Sequence, residues 1–236
     1  SLSIFGTEAA NTFRLQTGSY SIDNSHLVNY SNKENFVVNG SADDTAIVDG
    51  IVKFDGGITF SNLQVLSENG GLLQALSLDL VSTGDVGSSD SRLKTVVSDL
   101  SLNATNGDIY LEELNDLNLR NFNVSTTDLV DLNIGGSLSS TNPLMYTGAL
   151  SIESLRGNIN LGNNNLLSGL LNLKTTQDVV LGNTSSLLIG NLSAQNAEIN
   201  SAANIVGVGV FSVSGLTTLN ALADINLTNS NNDFNQ

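Results

Sequence analysis

Short stretches in which apolar and polar residues alternate recur along much of this chain. In residues 100–111 (LSLNATNGDIYL), Leu100 and Leu102 lie two positions apart, and so do Ile109 and Leu111. Side chains two positions apart lie on one face of a β-strand, so each pair predicts a short strand with one buried face. The polar residues between the two pairs predict a turn.

The same pattern recurs with an acidic or amide residue just before the second apolar pair. Five copies cover residues 78–86, 100–111, 150–161, 171–181 and 217–227, and they align on Asp85, Asp108, Asn158, Asp178 and Asp224. Two weaker copies are aligned on Asp131 and Glu198. Successive anchors are then about 20–27 residues apart, and a period of this length with tolerated insertions is typical of a solenoid.

Each copy is too small to bury its apolar face alone, so the copies are expected to stack as coils that share one interior. The predicted fold is therefore all-β, a parallel β-helix (β-solenoid) over residues 71–236 with coils of about 20–27 residues. Leu102, Leu161 and Leu173 are predicted core positions. Residues 1–70 are predicted to be irregular coils or a β cap, because two segments there, 6–13 and 40–47, resemble each other but not the later copies.

Three other folds were weighed against the solenoid. The dipeptide Asn106-Gly107 favours an antiparallel hairpin, but the other copies have no such dipeptide. Residues 114–124 fit a leucine-rich repeat, but the fit does not recur at a fixed spacing and no amphipathic helix follows it. A β-sandwich would show no common repeat.

Composition and charge narrow the function classes. The chain has 33 Asn and 22 Gly but one Pro, which is typical of strands joined by many turns. A net charge of -15 disfavours nucleic acid and anionic lipid as partners, and it discourages association between copies, so a monomer is expected. There is no apolar run long enough for a membrane span, so no membrane insertion is expected. There is also no Cys, so neither disulfides nor thiol chemistry is expected.

The motif L-x-L-x-x-x-x-G-D-I-x-L at residues 100–111 and the ending INLTNSNNDFNQ at 225–236 resemble repeats of filamentous haemagglutinin-type adhesins of Gram-negative bacteria. This resemblance implies a right-handed parallel β-helix shaft of a large exoprotein, released by two-partner secretion and located at the cell surface. It also implies an outer-membrane export partner and a host or surface receptor. The only proline lies in STNPLMY (140–146), unlike the family's secretion motif, so an interior shaft segment is expected.

Acidic residues are the main candidates for chemistry. Asp85 and Asp108, stacked on adjacent coils, could share a cation. An Asp or Asn that caps a turn through its own side chain is favoured instead, because Asn158 and Glu198 at the equivalent positions interrupt any ladder of acidic residues. Asp43, Asp44, Asp49 and Asp55 form the densest acidic group, which indicates either a solvated turn or a calcium site that would make the chain a calcium-stiffened linker.

Catalysis has few candidate groups. His26 is the only histidine, so a His-based metal cluster or catalytic triad is excluded, and paired carboxylates remain the route to a β-helical carbohydrate-active enzyme. The chain has no Trp and four Tyr, so platforms for sugar stacking are scarce. The phenylalanines are predicted to pack in the core or the end caps: Phe5, Phe13, Phe36, Phe54, Phe60, Phe122, Phe211 and Phe234. We therefore assign no catalytic, cofactor-binding or metal-binding residue and expect a non-catalytic protein without a cofactor.

Overall fold

The computed structural model describes residues 1–23, 25, 27–30, 34–125 and 129–234. These residues form strands and turns, and no helix occurs among them, so none is available to span a membrane. The chain divides into two compact units, one of Ser1–Asn115 with Val124–Thr126 and one of Asp116–Asn123 with Thr127–Gln236. The change in regularity predicted near residue 70 stays a prediction.

The first unit contains eleven strands within its described residues. They are β1 (Leu2–Phe5), β2 (Thr12–Gln16), β3 (Ser19–Ile22), β4 (Val28–Asn29), β5 (Phe36–Asn39), β6 (Thr45–Lys53), β7 (Gly57–Gln74), β8 (Ser77–Val86), β9 (Leu93–Val96), β10 (Asp99–Ala104) and β11 (Ile109–Glu113). β1, β5, β7, β8 and β10 pair in parallel in that order, each strand on the next coil. A second parallel series begins with β2, which pairs with β6, and β6 pairs with the later part of β7. The end of β7 pairs with β9, and β9 pairs with β11. The first unit is therefore a parallel β-solenoid.

The first coil of this unit is longer than the others. Leu2 pairs with Phe36 and Thr12 pairs with Thr45, so the two similar segments near residues 6 and 40 lie on adjacent coils. The extra length forms β3 and β4, which add to β2 in antiparallel order. β3 thereby covers the edge of β2 that faces away from β6, which is how solenoid ends are protected from further pairing.

The second unit contains the remaining strands of the described chain. They are β12 (Leu117–Val124, of which all but Val124 lies in this unit), β13 (Leu129–Ile134), β14 (Leu138–Ser140), β15 (Met145–Tyr146), β16 (Ala149–Ser154), β17 (Ile159–Leu167), β18 (Leu170–Thr175), β19 (Val179–Asn183), β20 (Leu187–Ala194), β21 (Ala197–Ser201), β22 (Ile205–Gly207), β23 (Phe211–Val213), β24 (Thr217–Ala221), β25 (Ile225–Leu227) and β26 (Asp233–Phe234). The pairings that build this unit are parallel, as in the series β13, β16, β18 and β20.

The register of the second unit gives the coil length directly. β12, β14, β17, β19, β21 and β24 pair in succession through the residues Leu117, Leu138, Ile159, Val179, Ala197 and Thr217. Each step along this column is close to the lower end of the predicted period, about 20 residues. The second unit is thus also a parallel β-solenoid, and the predicted fold class is confirmed.

Alternation within each strand decides which side chains fill the interior. In β17, Ile159 and Leu161 are fully buried while Asn160 between them is exposed. The three predicted core leucines, Leu102, Leu161 and Leu173, are each at most 1% exposed. The alternative hairpin at Asn106-Gly107 does not form, because β10 pairs in parallel with β8, and β11 pairs in parallel with β8 and β9.

Most predicted aromatic core positions are confirmed, with two exceptions. Phe36 and Phe54 stack 4.7 Å apart, and Tyr30 stacks on Phe54 at 5.0 Å. Phe5 is 67% exposed on β1, the outermost strand of its series, so its predicted packing is wrong. Phe234 is 37% exposed on β26, although its ring lies 6.2 Å from that of Phe211.

Candidate functional site

The aligned acidic and amide residues fall into two groups in the structure. Val86 pairs with Ile109, so Asp85 and Asp108 occupy equivalent positions on adjacent coils of the first unit, as predicted. Ile159 pairs with Val179, so Asn158 and Asp178 are equivalent in the second unit. Asp108, Asn158 and Asp178 each precede a strand at a corner of the solenoid, whereas Asp85 is the last residue but one of β8.

Three of the aligned residues were placed wrongly. Asp131 lies within β13 and pairs with Ser151, and Glu198 lies within β21 and pairs with Val180, so neither is at a corner. Asp224 precedes β25, which continues the column of β22 rather than that of β19. Strand alternation gives the same local letters at different corners, so the sequence pattern alone could not distinguish them.

Side chains at one corner of the second unit link each coil to the next. We call this set the corner ladder, and its members are Asp116, Ser137, Asn158, Asp178, Asn196 and Leu216. Asn158 Oδ1 accepts the main-chain N–H of Asp178 at 3.1 Å, and Asp178 Oδ1 accepts the amide Nδ2 of Asn196 at 2.7 Å. The predicted turn cap within one coil is therefore corrected to a hydrogen bond between coils.

The corner ladder needs a hydrogen-bond acceptor and not a charge. Asp116, Ser137 and Asn196 each accept a main-chain N–H from the next coil, although one is acidic, one a hydroxyl and one an amide. In the first unit Asp85 Oδ1 likewise accepts the N–H of Asp108 at 2.9 Å. These N–H groups lie at corners, where strand pairing is interrupted, so the side chains satisfy donors that would otherwise lack a protein partner.

A second corner of the second unit buries two asparagines. Asn165 and Asn183 are register partners on β17 and β19 and are 0% and 5% exposed. Asn165 Oδ1 accepts the N–H of Leu144 at 2.7 Å, and its Nδ2 donates to the carbonyls of Leu161 and Gly182, both at 2.8 Å. Asn183 repeats the arrangement, with Oδ1 accepting the N–H of Leu167 at 2.8 Å. Sequence reasoning missed this pair, and the signal in the two copies was a Leu-Gly dipeptide followed by asparagine.

The predicted acidic group near residue 44 does not converge on one point. Asp44 is buried, and its carboxylate accepts the N–H groups of Asn11 at 2.6 Å and Ser41 at 2.8 Å, so the predicted solvated turn is wrong for this residue. Asp43 and Asp55 are exposed. The Asn11 amide continues the network to Asp23, whose pKa is lowered by hydrogen bonds from the N–H of Thr12 and from Asn11.

Asp49, the fourth member of that predicted group, belongs to an ion-pair cluster. Arg14 Nη1 lies 2.8 Å from both Asp49 Oδ2 and Glu68 Oε2, and these three residues come from three successive coils. Hydrogen bonds from Asn69 and then from Arg14 lower the pKa of Asp49. The cluster joins side chains across coils in the first unit, which is a structural role.

Glu113 is the one fully buried glutamate of the described chain. It is 0% exposed and accepts the hydroxyl of Thr95 at 2.8 Å and the N–H groups of Val97 at 3.0 Å and Asn115 at 2.9 Å. Burial raises the pKa of Glu113, and these hydrogen bonds oppose the shift. Every acceptor contact is internal, so the carboxylate supports the coil at Thr95 rather than facing a substrate.

A groove lies on the outside of the second unit, with a cavity volume of about 580 Å³. We call it the amide groove, and its lining includes Gly162, Asn164, Thr184, Asn200, Asn220 and Leu222. It originates from a register shift between β17 and β19. Leu161 pairs with Leu181, and Asn165 pairs with Asn183. Three residues lie between Leu161 and Asn165 in β17, but only one lies between Leu181 and Asn183 in β19. The longer segment bulges outward beside the shorter coils.

Metal and catalytic candidates remain dispersed. Within the described residues, no three His, Cys, Asp or Glu side chains lie close enough together to hold a metal ion. His26 lies outside the described residues. The expectations of no metal, no cofactor and no catalysis stay predictions.

Parallel coils tied together by acceptor side chains define this chain as a repeat protein of the β-solenoid class. A family model described as "Repeats of unknown function (DUF5649)" matches residues 176–236, about a quarter of the chain. The comparison with curated proteins gave no match, and the comparison with solved structures gave none.

Proposed function

We propose that this chain is a structural shaft segment of a secreted bacterial cell-surface adhesin, and that it acts as a stiff, non-catalytic spacer. The observation that supports this role is the corner ladder, because each coil supplies acceptors that its neighbour needs. A coil in such a stack is completed only by adjacent coils, and a repeated unit of this kind resists local opening. The resemblance of residues 100–111 to adhesin repeats supports the proposed location.

In this proposal the parent protein is exported across the outer membrane by a dedicated partner and attaches to a host or surface receptor. The segment itself is monomeric and carries charge that keeps its strand-rich surface soluble. Its contribution to attachment is distance and stiffness, which depend on the stacked coils.

The test is to replace residues 1–236 in the parent protein with an unrelated β-solenoid of similar length. A spacer role predicts unchanged surface exposure and unchanged attachment of the bacteria, measured by protease accessibility and by adherence counts. A flexible Gly/Ser linker of equal residue number is the matched control, and it should reduce attachment because it does not hold a fixed distance. Loss of attachment with the unrelated solenoid, despite normal surface exposure, would contradict the spacer role.

The secretion step needs its own test. Deleting the gene for an outer-membrane export protein encoded beside the parent reading frame should leave the protein inside the cell. Surface labelling that persists in this deletion strain would contradict two-partner export.

A further inference from the structure

We propose that the amide groove binds an extended, electrically neutral polysaccharide through the side chains of Asn200 and Asn220. This inference stands independently of the shaft role, because it concerns one outer face of the second unit. The groove crosses successive coils, so its ligand would lie along the direction in which the coils stack.

The close approach of two coils forms the deep part of the groove. A Cβ added at Gly182 would lie 2.8 Å from the carbonyl oxygens of Gly162 and Asn163, so the bulged segment presses directly on this glycine. Gly182, Asn200 and Asn220 are register partners on β19, β21 and β24. Gly182 therefore adds no side chain next to the two amides of its column.

The two amides are held in a fixed orientation and keep unused hydrogen-bonding capacity. Asn220 Nδ2 donates to Asn200 Oδ1 at 2.8 Å, and Asn200 Nδ2 donates to Glu198 Oε1 at 3.1 Å. A primary amide has two N–H groups and two acceptor positions, so each side chain retains at least one donor and one acceptor. Sugar hydroxyl groups both donate and accept, which matches this paired capacity.

The main chain of β19 and β21, two of the three strands that hold Gly182, Asn200 and Asn220, favours a ligand that binds through side chains. β19 pairs with β17 and β21, and β21 pairs with β19 and β24. Both β19 and β21 therefore use their main-chain N–H and carbonyl groups in pairing with neighbouring strands. A peptide that adds as a strand needs a free edge and could not pair with these two strands. Hydroxyl-bearing ligands do not need main-chain pairing.

Charge indicates a neutral rather than an anionic ligand. The sequence has no Lys or Arg after Lys174, so the segment that contributes the groove residues from Gly182 onward carries no positive charge. Glu198, which is negatively charged, lies beside the amides. Sulfate and uronate groups are bound mainly by Arg and Lys. The exposed methyl and methylene groups of Ala202 and Leu222 offer apolar contacts for the C–H faces of sugar rings.

The dimensions suit a linear chain of sugar rings. The cavity volume of about 580 Å³ lies within the range of about 300–1,000 Å³ that is usual for small-ligand sites. Adjacent coils are about 4.8 Å apart, which is close to the advance per ring of a 1,4-linked pyranose chain. One ring per coil would place equivalent hydroxyl groups against Asn200 and Asn220.

The experiment is an NMR titration of the whole chain, labelled with ¹⁵N, with cellohexaose, mannohexaose and chitohexaose, and with a heparin hexasaccharide as the anionic probe. The proposal predicts saturable shifts with at least one neutral hexasaccharide, confined to amides near residues 182–184, 200–202 and 220–222. Three results overturn it: no saturable shift with any neutral probe, shifts only with heparin, or shifts that lie mainly outside the groove.

Variants test which side chains carry the binding. Asn200→Ala and Asn220→Ala should each weaken binding about tenfold, since each removes hydrogen bonds worth about 1.4 kcal/mol. The double variant Asn200→Leu/Asn220→Leu should abolish the shifts, and Asn220→Ala remains the milder test if the double variant melts at a lower temperature. Asn226→Ala is the matched control, because Asn226 is exposed on β25 outside the groove. Wild-type affinity in both single variants would contradict the assignment.

Discussion

Asn165 and Asn183 lie one above the other inside the second unit, and each uses its amide to bind main-chain groups of neighbouring segments. They replace apolar side chains at a corner where the strand bends and main-chain groups lack strand partners. Both are almost completely buried, so the hydrogen bonds are shielded from water. A buried polar group of this kind is favourable only if all of its bonds are made.

Removing the Asn165 amide should therefore destabilise the second unit strongly. Asn165→Leu leaves the N–H of Leu144 and the carbonyls of Leu161 and Gly182 without their present partner. Buried groups left unsatisfied cost about 1–3 kcal/mol each, so we expect a loss of at least about 2 kcal/mol in the free energy of unfolding. Urea denaturation measures this loss. Asn164→Leu, at the neighbouring position outside the core, is the control, and equal losses in both variants would contradict the role of the buried amide.

The sequence predicted the fold because the same physical requirement repeats in each coil. Leu161 and Leu173 lie in stretches where apolar and polar residues alternate, and burying the apolar face of such a stretch needs neighbouring coils. The repeat period and the all-β class could therefore both be predicted from the sequence. The exact corner of each residue could not be predicted. Asp178 and Asp224 both precede an apolar pair, but they precede strands of different columns, because the same local pattern occurs at more than one corner of a coil.

The groove and the buried amides were beyond sequence reasoning for a related reason. The amide groove depends on the extra length of β17 relative to β19, and only the register identifies it as a bulge rather than as ordinary variation in coil length. Asn165 and Asn164 are adjacent and chemically identical, yet Asn165 is fully buried and Asn164 is not. Nothing in the run of three asparagines indicates which one faces inward.

The shared interior should not tolerate a charge. Leu161 is fully buried and pairs in register with Leu181, which is also fully buried. Leu161→Asp places a carboxylate without a partner among these side chains, at a cost of several kcal/mol. Because a domain is stable by only about 5–15 kcal/mol, we expect the second unit to lose cooperative melting. Circular dichroism melts test this.

The neighbouring residue supplies the control for that substitution. Asn160→Asp introduces the same charge one position earlier, where the side chain is exposed and its oxygen can still accept the N–H of Gly162. Its melting temperature should stay close to that of the wild type. Similar destabilisation by both substitutions would mean that net charge, rather than burial, limits the stability.

The corner ladder should respond to loss of an acceptor but not to a change of charge. Asn158→Asp keeps an oxygen that can accept the N–H of Asp178, so we expect a change of less than about 0.5 kcal/mol. Asn158→Leu removes the acceptor, and we expect a loss of about 1 kcal/mol because the corner is exposed and water partly replaces the bond. Chemical denaturation of both variants distinguishes the two effects, and a larger loss in the Asp variant would contradict an acceptor-only role.

Glu113 should make the stability of the first unit depend on pH. Burial raises its pKa above the ordinary value of 4.5, so the folded state binds the proton more readily than the unfolded chain does. The sign follows from linkage: this contribution is fully present below the unfolded pKa and is lost as the pH rises through the folded pKa. The free energy of unfolding of the wild type should therefore fall, relative to that of Glu113→Gln, as the pH rises above the ordinary pKa of 4.5.

The glutamine variant isolates the titration because it cannot ionise. Its amide Nε2 would face the N–H of Asn115, so it loses one hydrogen bond, but that cost is the same at every pH. Glu112→Gln, which removes a carboxylate one position away on the same strand, controls for the loss of one negative charge. The measured quantity is the free energy of unfolding of the wild type minus that of Glu113→Gln. If this difference stays constant across the pH range, or rises with pH, the ionised carboxylate is not disfavoured in the folded coil.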